Sequence, residues 1–198
     1  MHALIVRKLD ALALGDWAKA LPIALSDCPN TQSWRSARSD FWHVHDFEPG
    51  EGGETEVLWV AYRTTDAVVA SLEVHWCTQQ IVVPLGSSSL IQLLCPTKQD
   101  GSNTPDLDKI GAWLIRPGQG VCMMPGCWHA SLAVDSEVTA MMLTRRSTTL
   151  DLVRQLDQAQ SNGGVGLAVD QPETSYFSLP QMVKIELDLS AIDPNSPL

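Results

Sequence analysis

The sequence predicts an all-β fold, a small β-barrel or double-sheet β-sandwich with one or two peripheral helices. Three observations predict it. Short apolar runs rich in Val, Ile and Leu recur along the chain, as in Val57-Leu58-Trp59-Val60 and Ile81-Val82-Val83. Turn signals separate them, among them Thr64-Thr65-Asp66, Arg116-Pro117-Gly118 and Pro125-Gly126. Helical spacing is confined to two stretches, so helices are the minority element.

In chain order, Ala3 to Val6 forms the first strand. Asp10 or Asp16 opens a short helix in which Trp17, Ala20 and Leu21 have helical spacing, limited by Pro22. Residues 31–40 are polar and read as a loop. Phe41 to Phe47 alternates as a strand, placing His43 and His45 on one face. A His-x-His pair is a metal-ligand spacing. Without a reinforcing carboxylate outside the acidic stretch 48–56, the pair reads as ordinary histidines on an edge strand. Val57 to Tyr62 is the next strand, ending near Arg63, and 64–66 form a turn.

Ala67 to Leu72 leads into the central stretch, Leu72-Glu73-Val74-His75-Trp76-Cys77-Thr78-Gln79-Gln80-Ile81-Val82-Val83-Pro84. It reads as strand, tight turn and second strand. Side chains alternate, so Glu73 and His75 face the same side, with Gln80 leading into the β-branched run. Ser89 to Leu94, Ile110 to Ile115, Val121 to Met124, Ser131 to Val134 and Val138 to Leu143 are further strands, and 96–105 is a polar hairpin loop. Thr148 and Asp151 have the spacing of a capping box opening a helix with Leu152, Val153 and Leu156 as its apolar stripe. Ser161 to Gly164 ends it. Met182 to Leu187 alternates as a last strand, and the tail from about 190 reads as loose.

Length and composition bound the function. The 198 residues suffice for one domain, 1–198, with a substantial core. The formal charge of −10 repels phosphate backbones, arguing against a nucleic-acid partner. Five cysteines (28, 77, 95, 122, 127) include no pair with a two-residue gap and read as free thiols in a reducing compartment. The N-terminal residues lack a signal-peptide apolar core, and no run has membrane-spanning length; the expectation is a soluble, cytoplasmic protein.

Four side chains are the candidate site: Glu73, His75, Gln80 and, much later, His129 after the Pro125-Gly126 turn. In a small barrel a ligand cavity is lined by inward-facing residues of neighbouring strands. The order of these residues resembles the two cupin motifs. The first is His-x-His, four residues, then Glu; here it reads Glu73-x-His75, four residues, Gln80, with Gly86 beyond. The second resembles Gly120 to Pro125-Gly126-x-x-His129. Glu73 and Gln80 replace a His and a Glu, keeping oxygen or nitrogen donors. Glu73, His75, Gln80 and His129 are therefore the candidate ligands of one divalent metal such as zinc, nickel or manganese.

A narrower family fits more of the chain. Leu72-Glu73-x-His75, Gln80 and Pro84 resemble a strand of the ureidoglycolate lyase family, also known as the ureidoglycolate hydrolase family. Pro105-Asp106-Leu107, Ala112-Trp113, Gly118-Gln119-Gly120-Val121 and Trp128-His129 resemble its second block in ungapped register. Arg63 is similar to an Arg of bacterial members. The resemblance runs from about Val57 to Leu143. Gly111 stands where members commonly carry Arg, Met124 where some carry His, and Ala130-Ser131 replaces the residues usual after Trp128-His129.

The resemblance implies a lyase that splits (S)-ureidoglycolate into glyoxylate and urea in purine and allantoin degradation, and a homodimer. Such chemistry needs a base for the hydroxyl proton, an acid for the departing nitrogen and donors for the carboxylate. His129 is the leading acid/base, with His75 and Glu73 as catalytic or metal-binding partners. Arg63, Gln80 and Trp128 are the substrate-binding candidates: Arg63 for the carboxylate, Gln80 by hydrogen bonding and Trp128 as a wall. The competing readings are a cupin enzyme acting on another small carboxylate and a non-catalytic small-molecule binder.

Overall fold

The computed structural model describes residues 2–9, 14–28, 30–63, 67–135, 137–161 and 173–186. Its strands are β1 (His2–Lys8), β2 (Ala18–Leu21), β3 (Ser33–Arg35), β4 (Asp40–Trp42), β5 (Thr55–Arg63), β6 (Val68–His75), β7 (Gln80–Pro84), β8 (Leu90–Cys95), β9 (Gly111–Ile115), β10 (Gly120–Met123), β11 (Trp128–Ala133), β12 (Glu137–Arg145) and β13 (Thr174–Glu186). One α-helix, α1 (Arg146–Ser161), follows β12 directly. The fold is the expected all-β one. Six strands close a barrel in the order β1-β13-β6-β11-β8-β9, and five form a second sheet, β2-β10-β7-β12-β5. Strand β1 closes the barrel by pairing parallel with β13 through its first half and with β9 through its second.

Alternation sorts the apolar residues into two cores. Val6, Leu72, Val74, Leu93, Trp128 and Val183 come from barrel strands only and fill the lumen. Leu90, Leu94, Trp113 and Ile115, from the barrel's outer wall, pack against Val82, Val121, Met123, Val138, Ala140 and Met142 of the second sheet. The molecule is thus a filled barrel with a sheet laid across one side. This settles where a polar site can form. Leu72 and Val74 point into the lumen, so Glu73 and His75 point out of it, into the layer between barrel wall and sheet. The lumen itself is packed apolar core, not the ligand cavity expected of a small barrel.

Several local expectations change. Trp17, Ala20 and Leu21 do not share a helix: a single 3-10 turn, Gly15–Trp17, is followed by β2, antiparallel to β10. Pairing with an available sheet edge overrides a weak helical spacing. Residues 10–13 lie outside the described residues. The polar stretch expected as a loop contains β3, paired with β4 in a small hairpin that brings the tilted rings of Trp34 and Phe41 together. The strand expected through Phe47 stops at Trp42. His43 and His45 then part, His43 meeting Asp46 and His45 meeting Gln79 and Cys122.

The helix starts at Arg146, two residues before the expected cap. Thr148 and Asp151 are not a capping box. Both are buried and bond chain at the start of β13 instead. Val153, expected on the apolar stripe, is 47% exposed, because the buried face of α1 is this polar one. The turn at 64–66, the residues after Ser161, Leu187 and the tail lie outside the described residues, as does the side chain of Leu156. All five cysteines are free thiols. Among the described residues, no helix is long and apolar enough to cross a membrane.

Candidate active site

Glu73 and His75 lie near the end of β6, and Gln80 opens β7 after the turn Trp76 to Gln79. His129 is the second residue of β11, and the register pairs it with Glu73 across the barrel wall. Paired residues of antiparallel strands share a face. Two sequence blocks more than fifty residues apart are thereby brought to one spot.

The geometry is tight. His129 Nε2 lies 3.2 Å from Glu73 Oε1. The rings of His75 and His129 have centroids 5.1 Å apart. Gln80 Nε2 donates to His75 Nε2 over 3.1 Å. One ligand atom each from Glu73, His75 and His129 lies within 4.8 Å of the others. His129 and His75 are 1% and 4% exposed, whereas the Glu73 side chain is 31% exposed, so the cluster meets solvent on the carboxylate side.

The proton positions follow from the partners. Cys127 O can only accept, so His129 Nδ1 carries the hydrogen of their 3.0 Å contact. In the neutral ring Nε2 is then a bare lone pair facing a carboxylate, and it has no hydrogen-bond partner despite the short distance. Two acceptors this close repel unless a proton or a cation joins them. His75 is neutral at neutral pH: burial, then the nearby charge of His129, push its imidazolium down to about 4, against the opposing pull of Glu73. Burial alone would raise the Glu73 carboxyl, but a protonated His129 ring, donating to it and charged beside it, and then a charged His75 ring hold it below the usual range.

Two imidazole nitrogens and a carboxylate oxygen are a donor set suited to a borderline divalent cation. The orphaned Nε2 of His129 fits a role as ligand. Among the described residues, this is one group able to hold such an ion.

The other expected site residues lie elsewhere. Arg63 ends β5 on the surface, where its Nε is 2.6 Å from Glu137 Oε2. Trp128 points into the barrel lumen, edge-on to Trp76 and Phe177. Gly111, where the family commonly has Arg, leaves space for an indole: a Cβ there would lie 2.3 Å from the Trp113 ring. A cleft of about 760 Å³, lined by Trp17, Trp76, Lys109, Met124 and Gly126 among others, lies beside the cluster rather than on it. Its link to the site is through the chain, since Trp76 follows His75 and the Gly126 N–H donates to His75 O.

Residues that sequence reasoning missed also border the cluster. Tyr176 on β13 pairs with Glu73. Tyr62 on β5 lies near Ser131, two residues beyond His129 on the same face. Burial, reinforced by the Glu73 charge, pushes both phenols above their ordinary range, so both remain hydrogen-bond donors. These are the chain's only two tyrosines, which is the signal that could have singled them out. Thr174, at the start of β13, contacts His75 Nδ1.

The family model for ureidoglycolate lyase matches residues 33–161. No curated protein sequence matches the chain. Among solved structures the chain is similar to a dTDP sugar isomerase from Desulfovibrio desulfuricans, at 10% identity, over 93% of this chain and 92% of that one, with a TM-score of 0.44. It is similar to the RmlC epimerase of Mycobacterium tuberculosis, at 14% identity, over 69% and 65%, with a TM-score of 0.42. It is also similar to RmlC from Streptococcus suis, at 7% identity, over 72% and 71%, with a TM-score of 0.40.

Proposed function

The chain belongs to the ureidoglycolate lyase family, and from that premise we propose that it splits (S)-ureidoglycolate into glyoxylate and urea at the Glu73–His75–His129 cluster. The observation that supports this reading is the partnerless Nε2 of buried His129 beside the Glu73 carboxylate.

The substrate carries a hydroxyl and a ureido nitrogen on one carbon, next to a carboxylate. Its breakdown moves the hydroxyl proton to a base, turns the C–O bond into the aldehyde and breaks the C–N bond. The departing nitrogen then takes up a proton, completing urea. His129 Nε2 accepts the hydroxyl proton and returns it to the nitrogen. Its Nδ1–H, held by Cys127 O, fixes the tautomer this requires. The proton in transit lies beside Glu73 Oε1, which offsets its charge. Gln80 donates to the carboxylate or the ureido oxygen. Tyr62 and Tyr176, whose phenols lie near the Glu73 charge, supply further donors.

Glu73, His75 and His129, with Gln80 at the margin, are the residues that would hold a divalent cation of the zinc, nickel or manganese type; His129 Nε2 has a single lone pair, so it would be a ligand in the loaded site and is the base in the metal-free one. Bound there, the cation would supply Lewis-acid polarisation of a substrate oxygen.

Arg63 has no part in this reading, being engaged with Glu137. A second reading, a related small carboxylate as substrate, is favoured by one observation: at Gly111 the Trp113 indole occupies space where the family commonly places an Arg. A homodimer, a single domain and a cytoplasmic setting stay with the family reading as expectations. The test is a product assay on purified protein supplied with ureidoglycolate. Equal amounts of glyoxylate and urea, without ammonia, agree with the lyase; no release above the spontaneous rate discards it.

A further inference from the structure

We propose that Thr174 is a positioning residue that fixes the ring tautomer of His75, and that α1 holds Thr174 in place for this purpose. The inference rests on the reading of His75 as part of the site, and it assigns a role to chain beyond residues 33–161, the stretch the family model covers.

Each of the two ring nitrogens of His75 has one side-chain contact. Nε2 lies 3.1 Å from Gln80 Nε2, and Nδ1 lies 3.0 Å from Thr174 Oγ1. An amide nitrogen only donates, so His75 Nε2 accepts and the ring hydrogen is on Nδ1. The Thr174 hydroxyl oxygen accepts that hydrogen. The Nε2 lone pair then faces the Gln80 amide, and a cation held at the cluster would take that lone pair in place of the Gln80 N–H.

Thr174 is itself tied from α1. Its N–H donates to Asp151 Oδ2 over 3.1 Å, and its carbonyl accepts from Gln155 Nε2 over 3.2 Å. Gln155 Nε2 also donates to Asp151 Oδ2, over 2.9 Å. The preceding residue is pinned in the same way: the Glu173 carboxylate accepts from Ser147 and Thr148, and its carbonyl accepts the Trp76 N–H. Thr174 is 1% exposed and Asp151 is buried. Packing alone would favour an apolar stripe on the inner face of α1. The helix buries Thr148 and Asp151 instead, and those two groups hold the residues flanking the His75 turn. A buried carboxylate is costly unless its bonds are specific, and here they converge on Thr174.

The experiment uses the full chain, metal-free, labelled with ¹⁵N in its histidines. Long-range ¹H–¹⁵N correlation spectra distinguish Nδ1–H from Nε2–H rings. The expected result is His75 as Nδ1–H in the wild type. In Thr174→Val, which keeps shape and removes the acceptor, it should become Nε2–H or a mixture, with Thr174→Ser restoring the wild-type spectrum. Zinc titration of the same proteins should show affinity about 10- to 100-fold weaker for the Val variant and near wild type for the Ser variant. A wild-type His75 in the Nε2–H form overturns the proposal, and that spectrum needs no variant to fold. An unchanged tautomer and zinc affinity in a folded Thr174→Val overturns it too. Neither readout depends on turnover, so a protein that releases no urea but shows these changes removes the lyase reading and leaves this one standing.

Discussion

His129 Nε2 and Glu73 Oε1 approach to 3.2 Å across the β11–β6 pair, and that nitrogen has no hydrogen-bond partner. The relationship has a direct consequence for Glu73. Replacing it with Gln keeps the shape and removes the charge beside the proton. We expect Glu73→Gln to lower turnover by about 10²-fold and to weaken zinc binding, measured by steady-state kinetics and by titration calorimetry. A variant with full activity would remove Glu73 from the chemistry.

Acid should destabilise the metal-free protein in a window set by His75. Its folded-state value is depressed to about 4 from an ordinary 6.5, chiefly by burial. The unfolded chain therefore binds more protons between those limits, and stability rises with pH through that window. The contribution is present above 6.5 and falls away as pH drops toward 4, by about 3 kcal/mol at most. Glu73, held low, adds a further loss below the ordinary carboxylate range. Urea denaturation across this pH range measures both. His75→Gln should flatten the upper part of the curve; a parallel curve would show that His75 is not buried neutral.

Gly111→Ala should destabilise the protein without touching the cluster. The added methyl would stand 2.3 Å from the indole of Trp113, which is buried against Trp17. Over-packing of this kind costs about 1–3 kcal/mol. Thermal melts check it, and an unchanged melting temperature would mean the indole can move aside.

Arg63→Ala should leave KM and kcat near wild type and stability within about 1 kcal/mol, as for other exposed ion pairs. Its partner Glu137 is on the surface, where β12 begins. A large rise in KM would instead give Arg63 the carboxylate-binding role expected from the sequence.

Much of the site was legible because it depends on alternation. The spacing of Glu73 and His75 on one strand, and of Gln80 after a tight turn, fixes their common face whatever surrounds them. Alternation does not say which face is lumen and which is outer wall. That depends on β1 pairing with both β13 and β9, contacts that join strands more than a hundred residues apart. Thr174 was invisible for the same reason: it meets His75 across 99 residues of sequence. The capping-box spacing of Thr148 and Asp151 was real, but both side chains found stronger partners at the start of β13. Ala18–Leu21 and Ser33–Arg35 are short strands whose sequences carry no period of their own; pairing partners made them strands.

The most direct test of the central claim is the rate of urea release from (S)-ureidoglycolate by wild type and His129→Ala side by side, with circular dichroism to show that both are folded. The account predicts release well above the spontaneous rate for the wild type and a loss of about 10²- to 10⁴-fold for the variant. Equal rates from two folded proteins would contradict it.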